Sequence, residues 1–207
     1  MMSDFRRVVG ILVVASSFGV VAENAEAIIA VEGALGHRTT QFECTGCPSK
    51  SVTSNEVNGG VFLDPIPLIP ISFGLDFSLM KWQFDSKEFG VSEATGYLIG
   101  PQIKVWVPLP VDIKPYGRVG YEIGRYVATG KNSGVEYAQT VQLSGPLLGV
   151  GVKWELLPLT APFFEIQYAP LNGKISEQKV GGRKVSGGDN TYSVKSTGFL
   201  LGVEVGI

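Results

Sequence analysis

Alternation of apolar and polar residues with a period of two predicts that this chain is built from β-strands. From Ile71 to Leu79, every second residue is bulky and apolar, while the residues between them are Ser, Gly or Asp. The same period recurs at 111–123 and 199–207. Because successive side chains of a strand point to opposite sides of the sheet, each of these strands has an apolar face and a polar or small face.

Eight segments are predicted to form strands. They span residues 28–37, 54–63, 71–84, 94–107, 111–128, 137–155, 162–172 and 191–207. In the sixth segment the apolar residues change from one face to the other near Gly145 and Pro146. We expect a β-bulge at that point to restore the register.

Two kinds of connection alternate between these strands. Short, apolar, proline-rich stretches occur at 64–70, 107–110 and 156–162, and proline marks strand ends because it cannot donate a hydrogen bond to a sheet ladder. Longer stretches rich in Gly, Ser, Lys and Asn occur at 38–53, 85–93, 129–136 and 173–190. We therefore expect the proline turns at one end of an antiparallel fold and the polar loops at the other.

The composition favours a membrane barrel over a soluble one. Hydrophobic residues make up 44% of the chain, yet no segment after residue 27 has the apolar run of about 20 residues that a membrane helix needs. Lipid-facing strands account for this excess. A soluble barrel of the lipocalin type is apolar inside, whereas here the second face carries charges. We predict an all-β fold, an eight-stranded antiparallel up-and-down transmembrane β-barrel, over residues 28–207.

The N-terminal residues predict secretion. Two arginines precede an apolar run over residues 8–22, and Ala25-Glu26-Ala27 is a small-x-small cleavage sequence. We predict a signal peptide over residues 1–27, cleaved between Ala27 and Ile28. A membrane anchor is the alternative, but the run is shorter than a bilayer-spanning helix. An even strand number then leaves both termini periplasmic and the polar loops outside the bacterium.

Charge and motifs exclude several classes of function. The chain has 17 basic and 19 acidic residues, for a net charge of −2, so no bulk positive charge recruits nucleic acid. Phosphate-binding glycine loops, zinc-binding helices and dinucleotide fingerprints are not found in the sequence. We expect no cofactor.

The charged residues on the second face are the candidate site. They are Glu32, Asp76, Lys104, Lys114, Arg118, Glu122, Lys153, Glu165 and Glu204. Side chains can nearly fill an eight-stranded barrel, so we expect these charges to pair across the interior as a polar plug. The alternative is a gated ion path that opens when a pair breaks.

Three other features have candidate roles. Cys44 and Cys47 lie in the first polar stretch, and an oxidising envelope favours a disulfide between them over a metal site or redox catalysis. The single histidine, His37, is the only imidazole available as a general base, although a surface histidine is commoner. Trp82, Trp106 and Trp154 lie near strand ends, as interfacial girdle residues do.

The whole predicted mature chain resembles the small eight-stranded outer-membrane barrels of the OmpA, OmpX and OmpW type. The signal peptide, the alternating turns and loops, and the terminal strand 197–207 carry the resemblance. It implies location in the bacterial outer membrane, with membrane lipid and the barrel-assembly machinery as partners. Ile207 departs from the pattern, because such proteins commonly end in an aromatic residue.

The expected function is that of a non-enzymatic outer-membrane scaffold whose loops, chiefly 38–53 and 173–190, make external contacts. The ligand of these loops is not specified by the sequence. A small gated channel for ions or solutes is one alternative, and a lipid A-modifying enzyme that uses His37 is another.

Overall fold

A computed structural model describes residues 29–43, 49–64, 70–84, 92–132, 134–155, 159–185 and 191–207. They form nine strands: β1 Ile29–Glu43, β2 Lys50–Leu63, β3 Ile71–Gln83, β4 Glu93–Trp106, β5 Ile113–Asn132, β6 Val135–Trp154, β7 Thr160–Val180, β8 Arg183–Val185 and β9 Thr191–Gly206. Within this part of the chain, no helix is long and apolar enough to span a membrane.

Two predictions fall outside the described residues. These are the signal peptide with its cleavage site at Ala27 and Ile28, and the disulfide between Cys44 and Cys47. Both stay predictions.

Eight of the strands close into an antiparallel barrel, which confirms the predicted fold. The sheet runs β6-β5-β4-β3-β2-β1-β9-β7, and pairing of β6 with β7 closes it, while β8 extends β7 at the margin. The first and last strands are neighbours, and the amide of Ile207 donates to the carbonyl of Ile29 at 2.7 Å. We call the end that holds Ile29, Ile207 and residues 64, 70 and 107–112 the proline end. The opposite end is the loop end.

The strands extend further toward the loop end than the sequence pattern indicates. β1 continues to Glu43, β7 continues to Val180, and β5 and β6 pair as far as Asn132 and Val135. Much of the predicted loops 38–53, 129–136 and 173–190 is therefore strand. These extensions lack one-sided alternation, since neither face is uniformly apolar, and periodicity alone does not reveal them.

The predicted bulge at Gly145 and Pro146 is wrong. β6 pairs with β5 in unbroken register through both residues, and the register shift lies elsewhere, between Thr140 and Val141 opposite β7. Val141 and Leu143 point into the barrel and are 0% and 4% exposed. The apolar residues change sides because the interior itself becomes apolar toward the loop end.

The outer wall carries a belt of bulky apolar side chains. Its exposed members include Leu35, Val61, Phe73, Leu75, Phe77, Leu79, Ile99, Ile103, Val119, Ile123, Leu148, Val150, Ile166, Phe199 and Leu201. Two of the three tryptophans do not join this belt. Trp82 is only 3% exposed and lies inside, and Trp106 packs against an interior cluster with Tyr116 and Phe163.

Candidate functional site

Arg118 lies at the centre of the interior near the proline end. Its guanidinium donates to Glu32 at 2.6 Å and to Asp76 at 3.2 Å, and its Nε lies 3.1 Å from an oxygen of Glu165. The Tyr116 hydroxyl also donates to Glu165, at 2.7 Å. The planar fork of arginine suits this arrangement, because it offers donors in several directions at once.

Two lysines extend the network toward the proline end. Lys104 contacts Glu32 and lies 3.2 Å from Glu204, while Lys153 lies 2.6 Å from the other oxygen of Glu204. The Lys104 ammonium also lies 4.3 Å from the ring centroid of Phe62. Eight of the nine predicted site residues thus have their side chains inside the barrel, and seven of these eight form one network, from which Glu122 is separate.

A second ion pair lies farther toward the loop end, between two residues that the sequence analysis did not select. Arg38 and Glu56 form a bidentate pair at 2.8 and 2.9 Å, with both side chains fully buried. Gln167 joins this pair to the first network, because it accepts from Arg38 at 2.6 Å and donates to Glu165 at 2.7 Å. Parity could have identified Arg38, which is in phase with Glu32 on β1.

Two of the predicted residues differ from the rest. Lys114 lies at the proline-end rim, where it pairs with Glu155 at 2.6 Å and keeps 27% of its side chain exposed. Glu122 is 1% exposed, and its Oε2 has no hydrogen-bond partner among the described residues. It interacts electrostatically with Arg38 and Arg118.

The loop-end half of the interior is mainly apolar, although Thr40 and Ser196 lie among its side chains and Trp82 Nε1 donates to Thr40 Oγ1 at 3.3 Å. Its buried apolar members are Val52, Met80, Trp82, Ala94, Leu98, Tyr126, Ala128, Val141, Leu143, Leu147, Ala169, Leu171 and Val194. Phe42 packs beside them, with its ring 6.1 Å from that of Tyr126. The void among these side chains is only about 10 Å³, room for about one water molecule. Among the described residues, side chains thus occupy both halves of the barrel interior.

His37 lies on the outer wall, away from the interior network. Its Nδ1 is 3.3 Å from Oδ1 of Asn55, and its ring packs 6.0 Å from that of Phe199. Its described hydrogen-bond partner is thus an amide, not the hydroxyl or carboxylate of a catalytic triad. Over the described ranges, no group of three His, Cys, Asp or Glu side chains could hold a metal ion.

Comparison with known proteins identifies the fold. No family model and no curated protein matches the chain. Among solved structures, the Pseudomonas aeruginosa outer membrane protein OprG is similar with a TM-score of 0.59 and 9% identity, over 89% of this chain and 98% of that one. Neisserial surface protein A gives 0.55 and 17%, over 89% of this chain and 100% of the other. The solid-state NMR structure of outer membrane protein AlkL gives 0.54 and 14%, over 91% and 95%.

This is the fold of the small outer-membrane β-barrels. The resemblance inferred from the alternating turns and loops is thereby confirmed for the fold. At 17% identity or less, these similarities concern architecture, and the role of this barrel has to be argued from its own residues.

Proposed function

We propose that this protein is a non-enzymatic integral barrel of the bacterial outer membrane that serves as a closed scaffold for contacts made at its loop end. One observation carries the membrane proposal: the apolar residues form an outer belt, while the charged residues near the proline end lie inside. In water this arrangement would expose bulky apolar side chains all around the wall, far more than a soluble monomer tolerates. In lipid the same belt is solvated favourably.

The first test is expression of the full-length chain in a bacterium, followed by isolation of outer membranes and a denaturing gel of unheated and boiled samples. We expect a membrane-bound band that shifts on heating, because a closed barrel resists detergent until it is boiled. A soluble periplasmic protein without a shift would contradict the membrane proposal.

A charge placed on the belt tests it at one residue. Leu75 on β3 is 59% exposed. We expect Leu75→Arg, within the belt, to lower the free energy of unfolding in lipid vesicles by about 2–4 kcal/mol. The same change at an exposed position of a soluble protein costs within about 0.5 kcal/mol. Thr39→Arg, on the outer wall near the loop end, is the matched control and should cost little.

The filled interior supports a scaffold over an open channel. Arg118 with its carboxylates blocks the proline-end half, and tightly packed apolar residues occupy the loop-end half. We therefore expect the wild-type protein in planar bilayers to give no conductance steps. Stable steps that change with Arg118→Ala or Glu122→Gln would replace the scaffold proposal with the gated channel.

The enzyme alternative depends on His37. Its outward position, with Asn55 as partner, supports a non-catalytic role. If the His37→Ala variant and the wild type leave the mass of lipid A equally unchanged, this proposal stands. Loss of a wild-type lipid A modification in the variant would establish the enzyme instead.

We place both termini and the proline end in the periplasm, with the loop end outside. Short turns on the periplasmic side and longer extracellular segments are the usual arrangement of such barrels, and here the strands extend further at the loop end. The barrel-assembly machinery would insert the chain in that direction. The test uses Lys184→Cys and Val111→Cys in a Cys44→Ser, Cys47→Ser background. An impermeant maleimide should label intact cells at residue 184 and not at residue 111. The reverse pattern would invert the orientation.

A further inference from the structure

A groove of about 500 Å³ lies on the outer wall across β1 to β4, toward the loop end. Its lining includes His37, Asn55, Val57, Leu79 and Lys81. The volume is within the range of small-molecule sites, roughly 300–1,000 Å³. Neither the scaffold proposal nor the interior network makes use of it.

The groove crosses the upper boundary of the apolar belt. His37, Asn55, Lys81 and Thr95 are paired in register across β1, β2, β3 and β4, and they form a polar row. The next row toward the proline end is Leu35, Val57, Leu79 and Tyr97, which is apolar or aromatic. Along each strand, the residue of one row is two positions from the residue of the other, a distance of roughly 7 Å. The groove thus presents a polar upper part and an apolar lower part.

The upper part contains two side chains that can donate hydrogen bonds to an anion, Lys81 and Asn55. The Lys81 ammonium has three donor hydrogens, and its ion pair with Glu93, at 3.0 Å, leaves its side chain 38% exposed. The amide oxygen of Asn55 faces His37 Nδ1, so its NH₂ group is directed to the other side. A phosphate is the matching ligand, because it offers several acceptor oxygens and a negative charge.

We propose that this groove binds a lipid of the surrounding leaflet whose phosphate is a monoester, with the phosphate at Lys81 and Asn55 and an acyl chain along Val57 and Leu79. The inference rests on the proposed membrane location, since only there does a lipid lie against the wall. The order of the two rows fits a lipid in the outer leaflet, with its headgroup toward the loop end and its chain toward the bilayer centre.

The test is native mass spectrometry of the detergent-purified barrel titrated with dimyristoyl phosphatidic acid or dimyristoyl phosphatidylcholine. The two probes share their acyl chains, but the phosphate is a monoester in phosphatidic acid and a choline diester in phosphatidylcholine, so a difference between them reports the monoester phosphate. We expect tighter binding of phosphatidic acid, and a roughly ten- to hundredfold loss of it in Lys81→Gln, the scale of one charge-assisted hydrogen bond. Lys131→Gln is the matched control, because Lys131 is 71% exposed in a pair with Glu136 away from the groove.

The opposing outcomes are distinct. Equal retention of phosphatidic acid by the wild type, Lys81→Gln and Lys131→Gln overturns the lipid site, and so does equal binding of the two lipids. Binding of glycerol 3-phosphate as tight as that of the lipid overturns the role of the acyl chain. The heat shift of each variant is measured in parallel. If the wild type shows a normal heat shift on the gel but no preference for phosphatidic acid, only this lipid site is rejected. If the wild type shows no heat shift, the membrane proposal itself is rejected.

Discussion

The two halves of the barrel interior are built from the same strands and the same inward-facing parity, yet their chemistry differs. Near the proline end, Arg118 and Lys104 are held by carboxylates through directional contacts. Near the loop end, Leu98, Leu147 and Val194 belong to one cluster of buried apolar side chains. Ion pairs hold one half together, and close packing of apolar side chains holds the other.

The difference shows how a narrow barrel can hold charges in its interior. Water that enters from the loop end would have to pass the packed layer around Trp82 and Leu147 to reach Arg118. The void in this layer has a volume of about 10 Å³. In the resulting low dielectric, ion pairs strengthen, but each unpaired charge becomes costly. The apolar layer therefore makes it costly to remove either partner of an ion pair around Arg118.

The largest expected effect follows from removing the central cation. Arg118→Ala leaves Glu32, Asp76 and Glu165 without their shared partner. We expect the free energy of unfolding to fall by about 3–5 kcal/mol, the cost of breaking a buried ion pair. The measurement is a urea titration of the protein in dimyristoyl phosphatidylcholine vesicles.

Arg125→Ala is the control for this variant. Arg125 lies seven residues farther along β5 on the outer wall, with its guanidinium 5.8 Å from the Tyr97 ring centroid. Its removal should cost about 1 kcal/mol or less. Equal losses for the two arginine variants would contradict the central position of Arg118.

The apolar half is tested by two adjacent leucines of β6. Leu147 is 0% exposed and points into the packed layer, whereas Leu148 is 51% exposed on the belt. We expect Leu147→Ala to destabilise the barrel by about 2–5 kcal/mol, because it leaves a cavity. Lipid can fill the space left by Leu148→Ala, so that loss should be several times smaller. The same urea titration compares them, and a larger loss at Leu148 would mean that the faces are reversed.

The sequence predicted the outer wall better than the interior. On β3, the alternation from Ile71 to Leu79 correctly separates the belt from the inward residues Asp76 and Ser78, because a lipid-facing surface must be apolar throughout. The interior obeys no such rule, since it can be filled by ion pairs or by hydrocarbon. That freedom is why the change of apolar face in the sixth segment predicts a bulge that β6 does not have: Val141 and Leu143 simply point into the barrel.

The predictions for Arg38 and Trp82 are wrong for a related reason. The composition predicts Arg38 in a polar loop, but β1 continues through it and its side chain is fully buried against Glu56. The position of Trp82 near a strand end predicts an interfacial girdle residue, but its parity matches that of the inward residue Asp76 and it is buried. In both cases the prediction follows the polar composition near the strand end and ignores parity. Parity gives the correct face once the true length of the strand is known.

The smallest expected effect concerns Lys114, which shares inward parity with Arg118 but lies at the rim. Its pair with Glu155 is 27% and 39% exposed, and water screens such pairs, which typically contribute about 0–1 kcal/mol. We expect Lys114→Ala to lower the free energy of unfolding by no more than that, and the loss to shrink further in 1 M salt, where the Debye length is about 3 Å. Lys104→Ala, which removes a buried partner of Glu32 and Glu204, should be far more costly and nearly insensitive to salt. Equal, salt-insensitive losses would mean that the polar network extends through the rim, and that the proline end is as closed to water as the loop end.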